Sequence, residues 1–238
     1  MTALQLRVDD LFGIRPLLSR HAIISSAETL LKSFAEHCRE VLHVLLSHLE
    51  NHLELANGTL IDLHRDDAPR GDFVSLQHRA AESHDASMVS KGEHTDFGSI
   101  TMLFNWLGGL QIREQLPHNS EKAGDWVYIK PIPGCCVINL ADSVVKLTAG
   151  LLKSNIHRVA PAPGLQGEGL PRYSLAYFAH PNDDVELLPV NGGLVDSAAR
   201  AKADHDGEAV YTAAKWTSER SLGSLRGVWS WEKGIEWR

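Results

Sequence analysis

The chain has 238 residues, 43% of them hydrophobic and 22% charged, which is ordinary for a folded domain and enough for one good hydrophobic core or two small ones. Its formal net charge of −7 argues against nucleic-acid binding, because phosphate contacts need a cationic surface. Three cysteines, Cys38, Cys135 and Cys136, make an odd count with two adjacent, so a disulfide framework is not expected and a reducing, cytoplasmic compartment is. No apolar stretch reaches signal-peptide or membrane-spanning length.

The first strong element is an amphipathic helix over Ser25–Ala56. Ser25 followed by Glu28 has the form of a capping box, and Asn57-Gly58 supplies a stop. Leu30, Leu31, Phe34, Cys38, Val41, Leu45 and Leu49 recur at three- and four-residue spacing and define its expected buried face. His37, His48 and His52 lie in this stretch and read as solvated or core-edge residues, since a metal ligand needs partners in space. A polar stretch follows to Ser90, interrupted by a short strand near Phe73–Gln77.

Beyond residue 93 the texture changes. Ser99–Phe104, Trp126–Ile129, Cys136–Leu140, Asn155–Ala160 and Tyr173–Ala179 read as strands, separated by Gly- and Pro-rich turns. Many short strands joined this way predict a β-sandwich or barrel. A helix over Glu208–Leu222 closes the pattern. Cys135 and Cys136 read as small buried residues, and Trp229, Trp231 and Trp237 as cover for the barrel or for a partner surface.

A His-x-Asp pair alone means little, for His64-Arg65-Asp66 has the same form as His94-Thr95-Asp96. The second is distinguished by its setting before Gly98 and a buried-looking strand. In extended chain, side chains at i and i+2 point the same way, so His94 and Asp96 can reach one ion. His157, between Ile156 and Val159, is the best third ligand. Two histidines and one carboxylate on one face of an octahedral metal leave three positions open, which suits iron(II) handling oxygen and a bidentate co-substrate. A closed structural zinc site would need a fourth protein ligand, and no cysteine motif offers one. Further on, Arg172 and Ser174 share a strand face, where a guanidinium and a hydroxyl can grip a carboxylate.

These residues are ordered as in a known family. His94–Ile112 (HTDFGSITMLFNWLGGLQI), Trp126–Gly164 (WVYIKPIPGCCVINLADSVVKLTAGLLKSNIHRVAPAPG) and Arg172–Pro181 (RYSLAYFAHP) together resemble the iron(II)/2-oxoglutarate-dependent dioxygenases of the isopenicillin N synthase-like group, its fungal branch in particular. The resemblance implies a mainly β fold with flanking helices, a double-stranded β-helix or jelly-roll barrel. It divides the chain into an N-terminal helical region (1–90), the jelly-roll core (91–190) and a C-terminal helical extension (191–238). It implies His94, Asp96 and His157 as iron ligands, and Arg172 and Ser174 as partners of the distal carboxylate of 2-oxoglutarate. Oxygen is the other co-substrate, and succinate and carbon dioxide are the by-products of hydroxylating, desaturating or cyclising a small organic molecule, plausibly a specialised metabolite. Leu110 and Phe178 are candidate substrate-lining residues, and the oligomeric state is left open.

The chain also departs from the family pattern. Relatives carry a longer region before the His-x-Asp pair. Here only 93 residues precede it, mostly the long helix, so early barrel strands and part of the substrate wall are expected to be missing and the pocket open. Gln77-His78-Arg79-Ala80 stands where the family often has a tyrosine near a Pro pair. Ala141 replaces a usual Gly and Ala149 a usual Asn. Three rival readings are an iron oxidase on the same scaffold that does without 2-oxoglutarate, a non-catalytic metal-binding jelly roll and, more remotely, a zinc hydrolase, which would want a general-base carboxylate that no motif proposes.

Overall fold

A computed structural model describes residues 2–14, 22–79, 91–115, 124–164, 170–202 and 210–225. The elements in chain order are β1 (Thr2–Arg7), α1 (Val8–Phe12), α2 (Ala22–Ser26), α3 (Glu28–His52), a 3-10 turn (Ile61–Leu63), β2 (Phe73–Arg79), β3 (Lys91–His94), β4 (Ile100–Asn105), β5 (Leu110–Arg113), β6 (Trp126–Tyr128), β7 (Val137–Leu140), α4 (Asp142–Leu147), β8 (His157–Val159), β9 (Arg172–Ala179), α5 (Gly193–Lys202) and α6 (Ala213–Leu225). The strands form two antiparallel sheets, one in the order β1-β2-β9-β4-β7 and the other in the order β3-β8-β5-β6.

The period of two along each strand assigns the faces. From β2, β4 and β9, Val74, Ile100, Met102, Tyr177 and Ala179 point outward into the main core, where they meet Ala35, Cys38, Leu42 and Leu46 of α3. Their neighbours Thr101, Leu103, Ser174, Ala176 and Phe178 point the other way and line a cavity, across which Leu110, Ile112, His157 and Val159 of the second sheet face them. The long helix is thus the outer cover of the five-stranded sheet, and the site lies between the sheets.

Several expectations need correction. Two strands precede residue 93: β2 lies where a short strand was expected, and β1, which was not expected, pairs with it in continuous register from Thr2↔His78 to Arg7↔Phe73 and so extends the larger sheet, β2 being paired in turn to β9. Residue Ser25 already belongs to α2, so it cannot adopt the extended N-cap conformation, and Ala27 precedes α3 with no side-chain cap. The helix stops at His52 rather than near Asn57. There the chain turns to meet Gly193, where a Cβ would lie only 2.2 Å from the Leu53 carbonyl oxygen.

The buried seam of α3 is also rotated from the one expected. It is centred on Ala35, Cys38, Leu42 and Leu46, while Leu30 is 72% exposed and Val41 43%. Polar residues share this seam because fixed partners await them: the Glu50 carboxylate accepts the backbone N–H of Leu60 at 2.6 Å and of Ile61 at 3.0 Å. Of the adjacent thiols, Cys135 is exposed and Cys136 half-buried, since both sit at the loop entering β7 and not inside it. The closing helix starts later than expected, at Ala213, and Trp229, Trp231 and Trp237 lie outside the described residues.

Candidate metal centre

Sheet register makes the site. Antiparallel pairing of β3 with β8 sets His94 directly opposite His157, their ring centroids 4.2 Å apart. Asp96 follows two residues later in the turn before β4. Its Oδ1 lies 3.8 Å from His94 Nε2 and 3.6 Å from His157 Nε2. One ligand atom from each of the three residues falls within 4.8 Å of the others, and among the described residues no fourth His, Cys, Asp or Glu joins them.

Each of the three side chains is oriented from behind. His94 Nδ1 lies 2.8 Å from the Gly92 carbonyl oxygen and His157 Nδ1 3.1 Å from that of Asn155. With Nδ1–H donating to a carbonyl, the Nε2 lone pair turns toward the shared centre. The second oxygen of Asp96, Oδ2, accepts hydrogen bonds from Thr101 Oγ1 and Asn139 Nδ2, both at 2.8 Å. One carboxylate oxygen is therefore tied down and the other left for a ligand.

Electrostatics keep this set in metal-binding form. Burial, aided by Lys91 and His157, pushes the His94 pKa down to about 3, so its imidazole is neutral near pH 7. Burial alone would raise the Asp96 carboxyl, but His157, His94, Lys91 and the Thr101 hydrogen bond outweigh it and hold the group below its ordinary value. The donor set fits a divalent ion: His94 Nε2 is buried without a hydrogen-bond partner, an expensive state unless an ion takes its lone pair.

A second layer braces the turn. Asp142, at the start of α4, accepts from Thr95 Oγ1 at 2.9 Å, Ser154 Oγ at 2.7 Å and Arg220 of α6 at 2.8 Å, while its own N–H reaches the Asp96 carbonyl at 2.9 Å. The Phe97 carbonyl accepts Ser143 Oγ at 2.7 Å and Trp216 Nε1 at 3.2 Å. Helices α4 and α6 thus hold residues 95–97 from both sides.

Arg172 and Ser174 lie at the start of β9, both buried, with the Arg172 guanidinium 3.3 Å from Ser174 Oγ and its Nε donating to the Gly108 carbonyl at 2.9 Å. Gly109 permits this approach, for its φ is +109° and a Cβ there would meet the Ala160 carbonyl oxygen at 2.5 Å. All seven residues singled out in the sequence (His94, Asp96, Leu110, His157, Arg172, Ser174 and Phe178) line one cavity of about 190 Å³. A larger cavity of about 950 Å³ adjoins it and shares Gln77, Lys91, His94, Asp96 and Phe178.

Sequence reading missed Thr101, Asn139, Asp142, Arg220 and Lys91. Thr101 and Asn139 are register partners across β4 and β7, a relation that no linear spacing displays. The Arg220–Asp142 pair joins elements far apart in the chain, and nothing in the local sequence of either announces it.

Two sheets enclosing a two-histidine, one-carboxylate set with open space beside it match the donor pattern of the non-haem iron oxygenases. Comparison with known proteins narrows this. The sequence profile of the 2OG-Fe(II) oxygenase superfamily matches residues 70–181. The 2-oxoglutarate-dependent dioxygenase iboH of Amanita muscaria is 33% identical over 167 residues, covering 70% of this chain and 76% of that protein. The 2-oxoglutarate-dependent dioxygenase FG08081 of Gibberella zeae is 31% identical over 166 residues, covering 69% of this chain but only 48% of the relative. In three dimensions the chain is similar to a full-length Neurospora crassa protein whose crystal structure is in complex with alpha-KG, with a TM-score of 0.73 at 23% identity, covering 92% of this chain and 68% of that one. This chain belongs to the 2OG-Fe(II) oxygenase superfamily.

Proposed function

We propose that the chain is an iron(II)- and 2-oxoglutarate-dependent oxygenase acting on a small organic substrate, with its two sheets as the halves of a double-stranded β-helix. The core spans 91–190, and 1–90 and 191–238 flank it. In this reading His94, Asp96 and His157 hold the iron, and Arg172 with Ser174 binds the distal carboxylate of 2-oxoglutarate. One observation carries it: the ligand set and the Arg172–Ser174 pair open into the same small, mostly apolar cavity.

When bound, iron, 2-oxoglutarate and oxygen supply the oxidising power to take hydrogen from an unactivated C–H bond, leaving succinate and carbon dioxide. The chain's own residues position and shield. Thr101 and Asn139 fix the Asp96 carboxylate. Arg172 supplies a buried cation aimed along β9, and Leu103, Leu110, Ile112, Val137 and Val159 keep the space between cation and ligands dry. Leu110 and Phe178 contact the substrate. The fungal relatives favour a specialised metabolite as that substrate, and three free thiols suit a reducing, cytosolic setting.

Anaerobic titration of the metal-free protein with iron(II) and then 2-oxoglutarate tests this. The weak visible charge-transfer band of the chelate is expected to appear, and to vanish in Arg172→Ala. Iron binding without the band would favour an oxidase that does without 2-oxoglutarate, and no iron binding would defeat the proposal.

A further inference from the structure

Lys91 opens β3 three residues before His94, and its half-buried side chain lines both the inner and the outer cavity. Among the described residues no carboxylate forms an ion pair with it. Its neighbour Glu93 is engaged by Arg113 at 3.3 Å, and Asp96 is occupied by Thr101, Asn139 and the two histidines. The charge of Lys91 nevertheless reaches the ligands, acting on both His94 and Asp96.

A half-buried ammonium group with no ion-pair partner among the described residues, in a cavity lined largely by apolar side chains, is stabilised by an anion that enters the cavity. Under the function proposed above, on which this step rests, both carboxylates of 2-oxoglutarate are already engaged, one at the metal and one at Arg172 and Ser174. That leaves Lys91 as the cavity cation open to an anionic group of the other molecule in the site.

We infer that Lys91 anchors the substrate, and that the substrate is a small organic acid whose carboxylate meets Lys91 while its apolar body lies against Phe178. The wall is ready for such a body, since the Phe178 ring stacks on Phe73 with centroids 4.4 Å apart and both rings face the outer cavity. Gln77, which lines both cavities beside Lys91, offers an uncharged amide to the same carboxylate. A lysine that merely solvates the surface would have no reason to line the inner cavity as well.

The test uses protein loaded anaerobically with iron(II) and saturating 2-oxoglutarate, titrated with phenylacetate and with phenylacetamide, its neutral counterpart. The acid is expected to bind at least about tenfold more tightly, the margin of a charge-assisted hydrogen bond. Lys91→Met loses that preference and Lys91→Arg keeps it, while the affinity of Lys91→Met for 2-oxoglutarate stays that of the wild type. Equal binding of acid and amide, no binding of either, or a preference that survives in Lys91→Met overturns the inference. So does a matching loss of 2-oxoglutarate affinity in Lys91→Met, which would assign Lys91 to the co-substrate. A wild-type protein that forms no chelate band sinks the functional reading itself, whereas a normal band without acid preference sinks this inference alone.

Discussion

Two His-x-Asp triplets in this chain have opposite fates. In His64-Arg65-Asp66 the histidine is fully engaged, with Nδ1 2.8 Å from the Leu60 carbonyl oxygen and Nε2 2.7 Å from Ser99 Oγ. Its aspartate turns away to Arg70 at 2.9 Å and Arg39 at 3.6 Å. Around it, Arg70 and Asp72, both completely buried, pair at 2.8 Å, and Asp72 also accepts from Tyr177 Oη at 2.6 Å and from the His180 N–H at 2.7 Å. In His94-Thr95-Asp96, by contrast, each ligand is tied at one atom and left open at another. The difference is local backbone. His64 follows a 3-10 turn, where residues two apart diverge, and His94 ends a strand, where they converge. A closed polar cluster stabilises and specifies a core, and an open one with its donors aimed inward is a binding site.

The contrast can be broken at either cluster. The largest effect is expected from Asp96→Ala, which should abolish turnover and weaken metal binding by more than the roughly 10–100-fold that loss of an outer partner costs, as read by calorimetric iron(II) or cobalt(II) titration. Asp72→Ala strikes the closed cluster instead. It leaves the buried Arg70 Nε, Tyr177 Oη and His180 N–H without their shared partner, although Asp66 still pairs with Arg70, and should cost about 3–5 kcal/mol in denaturant unfolding, while the folded fraction still binds metal. If that fraction has lost its metal affinity, the two clusters are not separate.

Acid provides a third test. Burial pushes the His64 pKa down to about 4 from an ordinary 6.5. Between these limits the unfolded chain binds more protons than the folded one. Stability is therefore full above the upper limit, falls as the pH drops through the window by ~3 kcal/mol, and loses nothing more from this group below it. His64→Gln should flatten that slope in unfolding measured from pH 7 to pH 4. Asn139→Ala frees one oxygen of Asp96 and is expected to lower metal affinity roughly tenfold or more, with little change in the thermal midpoint of the metal-free protein. The smallest effect concerns Ala149, a buried non-glycine residue at φ +50° just past the end of α4. The bonds from the Gly150 N–H to the Val145 carbonyl and from the Ala149 N–H to the Lys146 carbonyl complete a Schellman closure there. Ala149→Gly relieves the left-handed strain and should raise stability by about 1 kcal/mol.

Ala149 and Ala141 show how far a departure from a family pattern can be read. Both stand in the sequence only as departures from the usual residue, yet only Ala149 occupies a conformation in which Asn or Gly has an advantage, since Ala141 has an ordinary φ of −118°. The five strands expected beyond residue 93 were legible because alternation and Gly/Pro turns are local signals, and each lies within a residue or two of its expected place, whereas the short β5 was not anticipated. Strand β1 was harder to see. Thr2–Arg7 is a strand because β2 pairs with it, and β2 is held in turn by β9.

The sequence by itself marked the β-rich class, the long helix and, as candidates, His94, Asp96, His157, Arg172 and Ser174. His94 with Asp96, and Arg172 with Ser174, each sit in one short segment with the two-residue spacing of extended chain, whereas His157 was marked only by its own strand setting. Tertiary structure alone decided that His94 faces His157, that Thr101 and Asn139 share one oxygen of Asp96, that Arg220 reaches Asp142 from the last described helix, and that Lys91 lines the cavity. Those relations depend on strand register and on packing between distant segments, and these are set by the burial of whole faces.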